Sequence, residues 1–371
     1  MKIPFYDATR EYIKLQAEFD KAIADVIASG AFILGKQVND FEEQIKNYTG
    51  AKYAVGVANG SDALLIASDI LGYRDADVLT PVFTFFASAS CIARLGGRPV
   101  FVDVNEDTFC MDMNDAENRI TKKTKGIIPV HLFLQTADMN ACSTIAEKYN
   151  LSVLEDAAEA FGMKTIYRDK TLHAGTMGDF GVFSFFPTKV LGGYGDGGMI
   201  VTNNPELYQR AKCYRTHGAA KKYHHDYIGY NSRLDTLQAS ILQVKLAHID
   251  ETIRQRAIHA EHYRESLDDL SGIKLPVVKE GNTEVNYAFC IQADKRDKLE
   301  LFLREKDIGT SIYYPIPLHL QNCFKYLGYK TGDFPVSERL CQKVIALPMY
   351  PELTCDEVDY ICDSIRVFYK K

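Results

Sequence analysis

Between residues 52 and 215, short apolar runs alternate with segments of helical spacing, and no other feature constrains the fold so strongly. The runs fall at 53–57, 77–80, 99–103, 126–130, 151–155, 180–185 and 198–202. Helical segments at about 61–71, 87–95 and 138–149 separate several of them, and Pro205 is placed to open another helix at its first turn. Strands that alternate with helices of this length build βαβ units. The pattern therefore predicts an α/β fold with a mostly parallel central sheet. Past Asn231 the rhythm changes. Apolar residues recur at helical spacing over 235–270, with a break expected at Asp250. Beyond 271 the chain reads as a smaller α+β unit, with strands near 287–291 and 309–313 and a last helix at 355–369. We expect two domains, 1–250 and 251–371, and 371 residues suit two at roughly 100–200 each.

Charge and composition remove several classes of function. Lys and Arg number 43 against 49 Asp and Glu, a net charge of −6, whereas nucleic-acid binding usually needs a basic surface. No apolar run approaches the roughly 18–20 residues of a membrane span. The opening MKIPFYDATREYIKLQAEFD has no apolar signal core. The nine cysteines are scattered and form no C-x-x-C pair. They read as reduced thiols of a cytoplasmic protein, with no metal site expected.

Four places carry residues suited to chemistry. In Asn59-Gly60-Ser61-Asp62 a strand ends and a helix begins. Free N–H groups of a first helical turn, with the Ser61 hydroxyl, make an anion cup, although Ser or Asp at a helix start also serves as a plain cap. Glu155-Asp156-Ala157-Ala158-Glu159 follows the fifth run. Carboxylates at the C-terminal ends of parallel strands face the ligand crevice, and one there suits a protonated ring nitrogen; a helix cap is the other reading. Ser184-Phe185-Phe186-Pro187-Thr188-Lys189 leads into the glycine-rich Gly192-Gly193-Tyr194-Gly195-Asp196-Gly197-Gly198. A lone lysine in that partly desolvated setting is expected to have a lowered pKa and a nucleophilic amine. Ser184 is placed to bind phosphate beside it. In Thr84-Phe85-Phe86-Ala87-Ser88 an aromatic at the mouth of the second strand can stack on a ring, and His131 ends the fourth run at the same edge.

Together these are the parts that hold pyridoxal phosphate: a lysine for covalent attachment, a partner for the ring nitrogen, a stacking face and a phosphate cup. Thirty-three residues separate Asp156 from Lys189, room for one intervening hairpin.

The chain resembles the DegT/DnrJ/EryC1/StrS sugar aminotransferases, pyridoxal-phosphate enzymes of the aspartate-aminotransferase fold. The resemblance runs over nearly the whole length. It is carried by Phe32-Ile33-Leu34-Gly35 with Phe41-Glu42, by Asn59-Gly60-Ser61-Asp62-Ala63-Leu64, by Pro81 to Ala87, and by Val130-His131-Leu132. It continues in Glu155-Asp156-Ala157-Ala158, in Ser184 to Lys189 and in Gly229-Tyr230-Asn231-Ser232-Arg233-Leu234-Asp235. Tyr314-Pro315, Asp333-Phe334-Pro335 and Leu347-Pro348-Met349-Tyr350-Pro351 close it. The resemblance implies that Lys189 carries the cofactor, Asp156 binds the pyridine nitrogen, Phe85 stacks on the ring, and Gly60, Ser61 and Ser184 hold the phosphate. It also implies that Asn231 reaches the phosphate of the neighbouring subunit, so that a homodimer shares its sites.

The implied reaction transfers an amino group, with glutamate as donor, to a keto sugar carried on a nucleotide, of 6-deoxyhexose type. His131, Tyr287, Tyr313 and His319 are the expected substrate contacts. The chain departs from the family pattern at Leu134, where Gly is usual, and at Glu159, where Gln usually meets the cofactor's phenolic oxygen. Tyr287 and Tyr313 stand where many members have His. Val130-His131-Leu132-Phe133-Leu134-Gln135 fits the pattern of 3-keto enzymes apart from Leu134, so C3 is favoured over C4. The alternatives are a sugar dehydratase, which carries His in place of the lysine, an aminohydroxybenzoate-type synthase, and a regulatory protein on the same fold. A nicotinamide dehydrogenase lacks its fingerprint turn after the first strand.

Overall fold

The structure, a computed structural model, describes residues 1–370. Seven strands form the central sheet: β1 (Tyr53–Val57), β2 (Asp77–Pro81), β3 (Arg98–Val102), β4 (Thr124–Ile127), β5 (Ser152–Asp156), β6 (Phe180–Ser184) and β7 (Gly198–Thr202). Their order is β1-β7-β6-β5-β4-β2-β3. β7 runs antiparallel to both neighbours, and the other pairings are parallel. The strands read as unbroken apolar runs because helices cover both faces of the sheet: β2 and β7 are buried along their whole length. The fourth run enters the ladder earlier than expected and leaves at Ile127; beyond it Val130 makes only a lone bridge to Asp156.

Four helices flank the N-terminal part: α1 (Ala8–Ser29), α2 (Lys36–Thr49), α3 (Gly60–Ile70) and α4 (Ala87–Arg94). α3 begins where Asn59 accepts a hydrogen bond from the Asp62 N–H. Asn59 is thus the cap, and Ser61 keeps its hydroxyl for other work. α2 is tied to β1 by a buried pair. Glu42 accepts from the Gly56 N–H at 2.8 Å and from Arg215 at 2.5 Å, and Arg215 also reaches the Gly56 carbonyl. That network accounts for the Phe41-Glu42 motif by packing. The hairpin of Lys164–Tyr167 and Lys170–His173 lies between Asp156 and Lys189, where the spacing left room for one.

The helical run past Asn231 is two helices, Thr236–Ala247 and Ile249–Leu267, so the break falls at His248 rather than Asp250. The first packs on α1 and α2, and the second on the final helix Cys355–Lys370. The C-terminal sheet has three antiparallel strands, β8 (Ile273–Lys274), β9 (Phe289–Ala293) and β10 (Val344–Leu347). The strand expected at 287–291 starts two residues later, and that expected at 309–313 does not form. Only Ser311 bridges Ala346 there, because the segment turns away to wall the cavity described below. Ile3 bridges Ile308 and joins the C-terminal core, so the first residues pack with the C-terminal unit. Among the described residues no helix is long and apolar enough to cross a membrane, and no His/Cys/Asp/Glu group has the geometry to hold a metal.

Candidate active site

A cavity of about 610 Å³ opens at the C-terminal ends of β1, β2, β5 and β6. Asn59, Gly60 and Ser61 enter it after β1, Thr84 and Phe85 after β2, Asp156 and Glu159 from the end of β5, and Ser184 and Lys189 from β6. The parallel strands place these side chains together because their C-terminal ends share one edge of the sheet. The N-terminal segment and the C-terminal unit close the other side with Phe5, Tyr287, Ser311, Tyr313 and Tyr314.

Lys189 Nζ lies 3.1 Å from Glu159 Oε1 and 4.2 Å from the centre of the Tyr287 ring. Glu159 Oε2 accepts from the Phe133 N–H at 3.1 Å. Burial alone would lower the lysine's pKa. Glu159 and Tyr287 outweigh it and hold the ammonium above the ordinary lysine range. This corrects the lowered pKa expected from the sequence. The glycine-rich loop does desolvate the amine, but the carboxylate beside it was not visible in the spacing.

Asp156 is buried, and burial raises its pKa. Hydrogen bonds from Ser88 Oγ at 2.7 Å and the Ala158 N–H at 3.2 Å oppose that rise. No helix begins at Asp156, so the capping reading does not apply. Among the described residues it has no cation within salt-bridge distance. Its neighbour Glu155 faces the other way and accepts from the N–H groups of Gly175, Met177 and Gly178.

The residues fit pyridoxal phosphate. A Cβ on Gly60 would stand 2.8 Å from Ser184 Cβ, so only glycine lets the first turn of α3 come this close to β6. That approach joins the Ser61 and Ser184 hydroxyls to free helix N–H groups, a donor set for a dianionic phosphate. Phe85 is 58% exposed, an aromatic face left open on the cavity wall. The buried carboxylate of Asp156, without a cationic partner, suits a protonated ring nitrogen.

A sequence model of the DegT/DnrJ/EryC1/StrS aminotransferase family matches residues 14–366. The chain belongs to this family. It is 44% identical over its whole length to a protein of Geobacillus stearothermophilus named pleiotropic regulatory protein, 99% of which is covered. It is 40% identical to the dTDP-3-amino-3,4,6-trideoxy-alpha-D-glucose transaminase of Micromonospora megalomicea subsp. nigra, over 96% of both chains. Among solved structures it superimposes on S. venezuelae DesV in complex with a ketimine intermediate, with a TM-score of 0.96 and 36% identity, over 100% of this chain and 99% of the other.

Not every expected family residue reaches the cavity in one chain. Tyr287 and Tyr313 line it. His131 is fully buried behind it; its Nδ1 accepts from the Ala137 N–H, so its Nε2 carries the proton toward Glu155 at 2.9 Å. His319 is buried against Phe334 and bonded to Glu338 at 3.1 Å. Asn231 is exposed in an adjoining cavity with Ile33, Arg233, Asp235 and Gln238, which shares Asn59 and Asp196 with the Lys189 cavity. Sequence reasoning missed Ser88, Ser311, Phe5 and the full use of Tyr314. The signal for Ser88 was its place in Thr84-Phe85-Phe86-Ala87-Ser88, where the helix after the second strand begins.

Proposed function

We propose that this chain is a pyridoxal-phosphate-dependent transaminase that converts a 3-keto sugar on a nucleoside diphosphate to the 3-amino sugar, takes its amino group from L-glutamate, and works in the cytoplasm as a homodimer. The observation that carries the reading is the convergence of Lys189 and Asp156 on one cavity. The position C3 is supported by the name of the Micromonospora relative, a transaminase of a 3-amino sugar, and by the run Val130 to Gln135. The homodimer is supported by Asn231, which lies outside the Lys189 cavity of its own chain beside the exposed Ile33.

When bound, the cofactor supplies an electron sink for negative charge developing on the carbon next to nitrogen. The protein's own groups do the rest. Asp156 holds a proton on the ring nitrogen by its charge. Gly60, Ser61 and Ser184 would hold the cofactor's phosphate, on the same cavity that Lys189 lines. The Lys189 amine, once deprotonated, takes a proton from the donor's α-carbon and returns one to the sugar carbon. Glu159 holds the lysine in reach, and the Tyr287 ring covers its other side. Tyr313 and Tyr314 keep bulk water from the moving proton. The regulatory name of the Geobacillus relative allows a second reading, but a purely regulatory chain has no need to keep both Lys189 and Asp156.

The test is incubation of the enzyme and L-glutamate with synthetic 3-keto and 4-keto nucleotide sugars, read by mass and NMR of the products. A 3-amino sugar is the expected product. A 4-amino sugar alone overturns the position, and no amine from either overturns the activity.

A further inference from the structure

Ser88 sits in the first turn of α4 and is fully buried. Its Oγ lies 2.7 Å from Asp156 Oδ2, 3.3 Å from the Phe85 carbonyl and 3.3 Å from Thr84 Oγ1. A hydroxyl has one proton to give. The carboxylate oxygen is the nearest of the three acceptors and the only charged one, so the proton goes to Asp156. Thr84 can then donate into Ser88, which makes a short relay that ends on the carboxylate. The Ala158 N–H occupies the other oxygen, Oδ1. Each oxygen keeps a further lone pair for the cavity.

Asp156 must carry charge where burial disfavours charge. The titratable groups near it are Lys189 beyond β6, His131 beyond β4 and Cys91 on α4. None of them is bonded to its carboxylate; His131 meets Asp156 only through its backbone N–H, which donates to the Asp156 carbonyl. The two donors are therefore its immediate support, and Ser88 is the one supplied by a side chain. Ser88 also meets the turn that presents Phe85, through its N–H, which donates to the Phe85 carbonyl. One residue thus ties the ring-stacking turn to the carboxylate meant for the ring's nitrogen.

We propose that Ser88 is a positioning residue for the cofactor, holding Asp156 aimed and ionised and fixing it relative to Phe85. This rests on the reading that pyridoxal phosphate occupies the cavity.

The test uses pyridoxamine phosphate, which binds without a covalent bond to Lys189, titrated into the cofactor-free enzyme. Ser88→Ala should weaken its binding about tenfold, the scale of one hydrogen bond to a charged group. In an Asp156→Asn background the same change should cost less than about twofold, because the group it acts through is gone. The pH below which affinity falls away should be higher in Ser88→Ala, since the carboxylate then takes up a proton more readily. Ser88→Cys, close in volume and a poor donor, should repeat the loss if the alanine variant folds badly. Equal weakening in both backgrounds, or an unmoved pH profile, overturns the proposal in favour of plain packing. Wild-type enzyme that does not bind pyridoxamine phosphate overturns the cofactor reading as well, which separates the two failures.

Discussion

Lys189 Nζ and Glu159 Oε1 stand 3.1 Å apart, with both side chains largely withdrawn from solvent. The pair explains how a buried lysine keeps its proton before the cofactor arrives. Folded Lys189 holds that proton more tightly than an unfolded lysine does. The stabilisation is therefore complete at neutral pH and fades only as pH climbs past the ordinary lysine range.

Glu159→Gln removes the charge and keeps the side chain's shape. The cofactor-free variant should expose a larger neutral fraction of Lys189. Reductive labelling with pyridoxal phosphate and borohydride, followed by peptide mapping, should find Lys189 labelled about tenfold faster at pH 8, the effect of lowering a pKa by about one. An unchanged rate would show that Glu159 does not govern the amine.

Asp156→Asn should separate stability from activity. Burial pushes the folded carboxyl's pKa up, so above the ordinary carboxylate range the cofactor-free fold bears the cost of a buried charge. The neutral amide relieves it, and the cofactor-free variant should be more resistant to urea unfolding at pH 7 than the wild type. Turnover should fall at least ten- to hundred-fold, because a charge-assisted bond to the ring is worth about 1.5–3 kcal/mol. A near-wild-type rate would leave Asp156 without its assigned role.

Gly60→Ala tests the phosphate cup. The added methyl would meet Ser184 Cβ at 2.8 Å, and one of the two backbones must move. Overpacking of this kind costs about 1–3 kcal/mol. Since the strain falls between two phosphate-binding hydroxyls, cofactor affinity measured by equilibrium dialysis should drop about tenfold or more. A variant that loses stability but keeps its affinity would place the phosphate elsewhere.

What the sequence disclosed here followed from periodicity and from residues next to strand ends. β1 and β7 were legible to the residue because they are short, largely apolar and bounded by turn residues. Lys189 and Asp156 were legible because one lies shortly past the end of a strand and the other at a strand's last residue, and the α/β rule sends strand ends to one edge. The pairing of β9 with β10 in the C-terminal unit was not, since its antiparallel partners lie far apart in sequence, 58 residues for Phe289 and Leu347. The orientation of His131 was also hidden. A histidine at a strand end can face the crevice or the core, and the turn that brings the Ala137 N–H onto its ring decides which. Glu159's hold on Lys189 depends likewise on a backbone N–H, that of Phe133, which no spacing marks.

The last prediction concerns the second chain. Asn231 lies in a cavity that adjoins the Lys189 cavity without opening its side chain into it, so the proposed reading gives its amide to the other subunit's cofactor phosphate. Such a donor to a dianion is worth about 1.5–3 kcal/mol. Asn231→Ala should therefore weaken cofactor binding about ten- to hundred-fold in the homodimer, and Lys189→Ala should keep the fold and lose transamination. A mixed dimer of one Lys189→Ala chain and one Asn231→Ala chain decides whether the residue acts across the interface. If it does, the subunit that keeps Lys189 draws on the intact Asn231 of the partner subunit. One complete site then forms, and up to half the wild-type activity per dimer returns. If Asn231 serves its own chain, both sites are defective and activity stays at the level of the single variants. Separating differently tagged chains by affinity purification before the assay keeps parental dimers out of the measurement. A tagged mixed dimer with no recovered activity would reject the shared site.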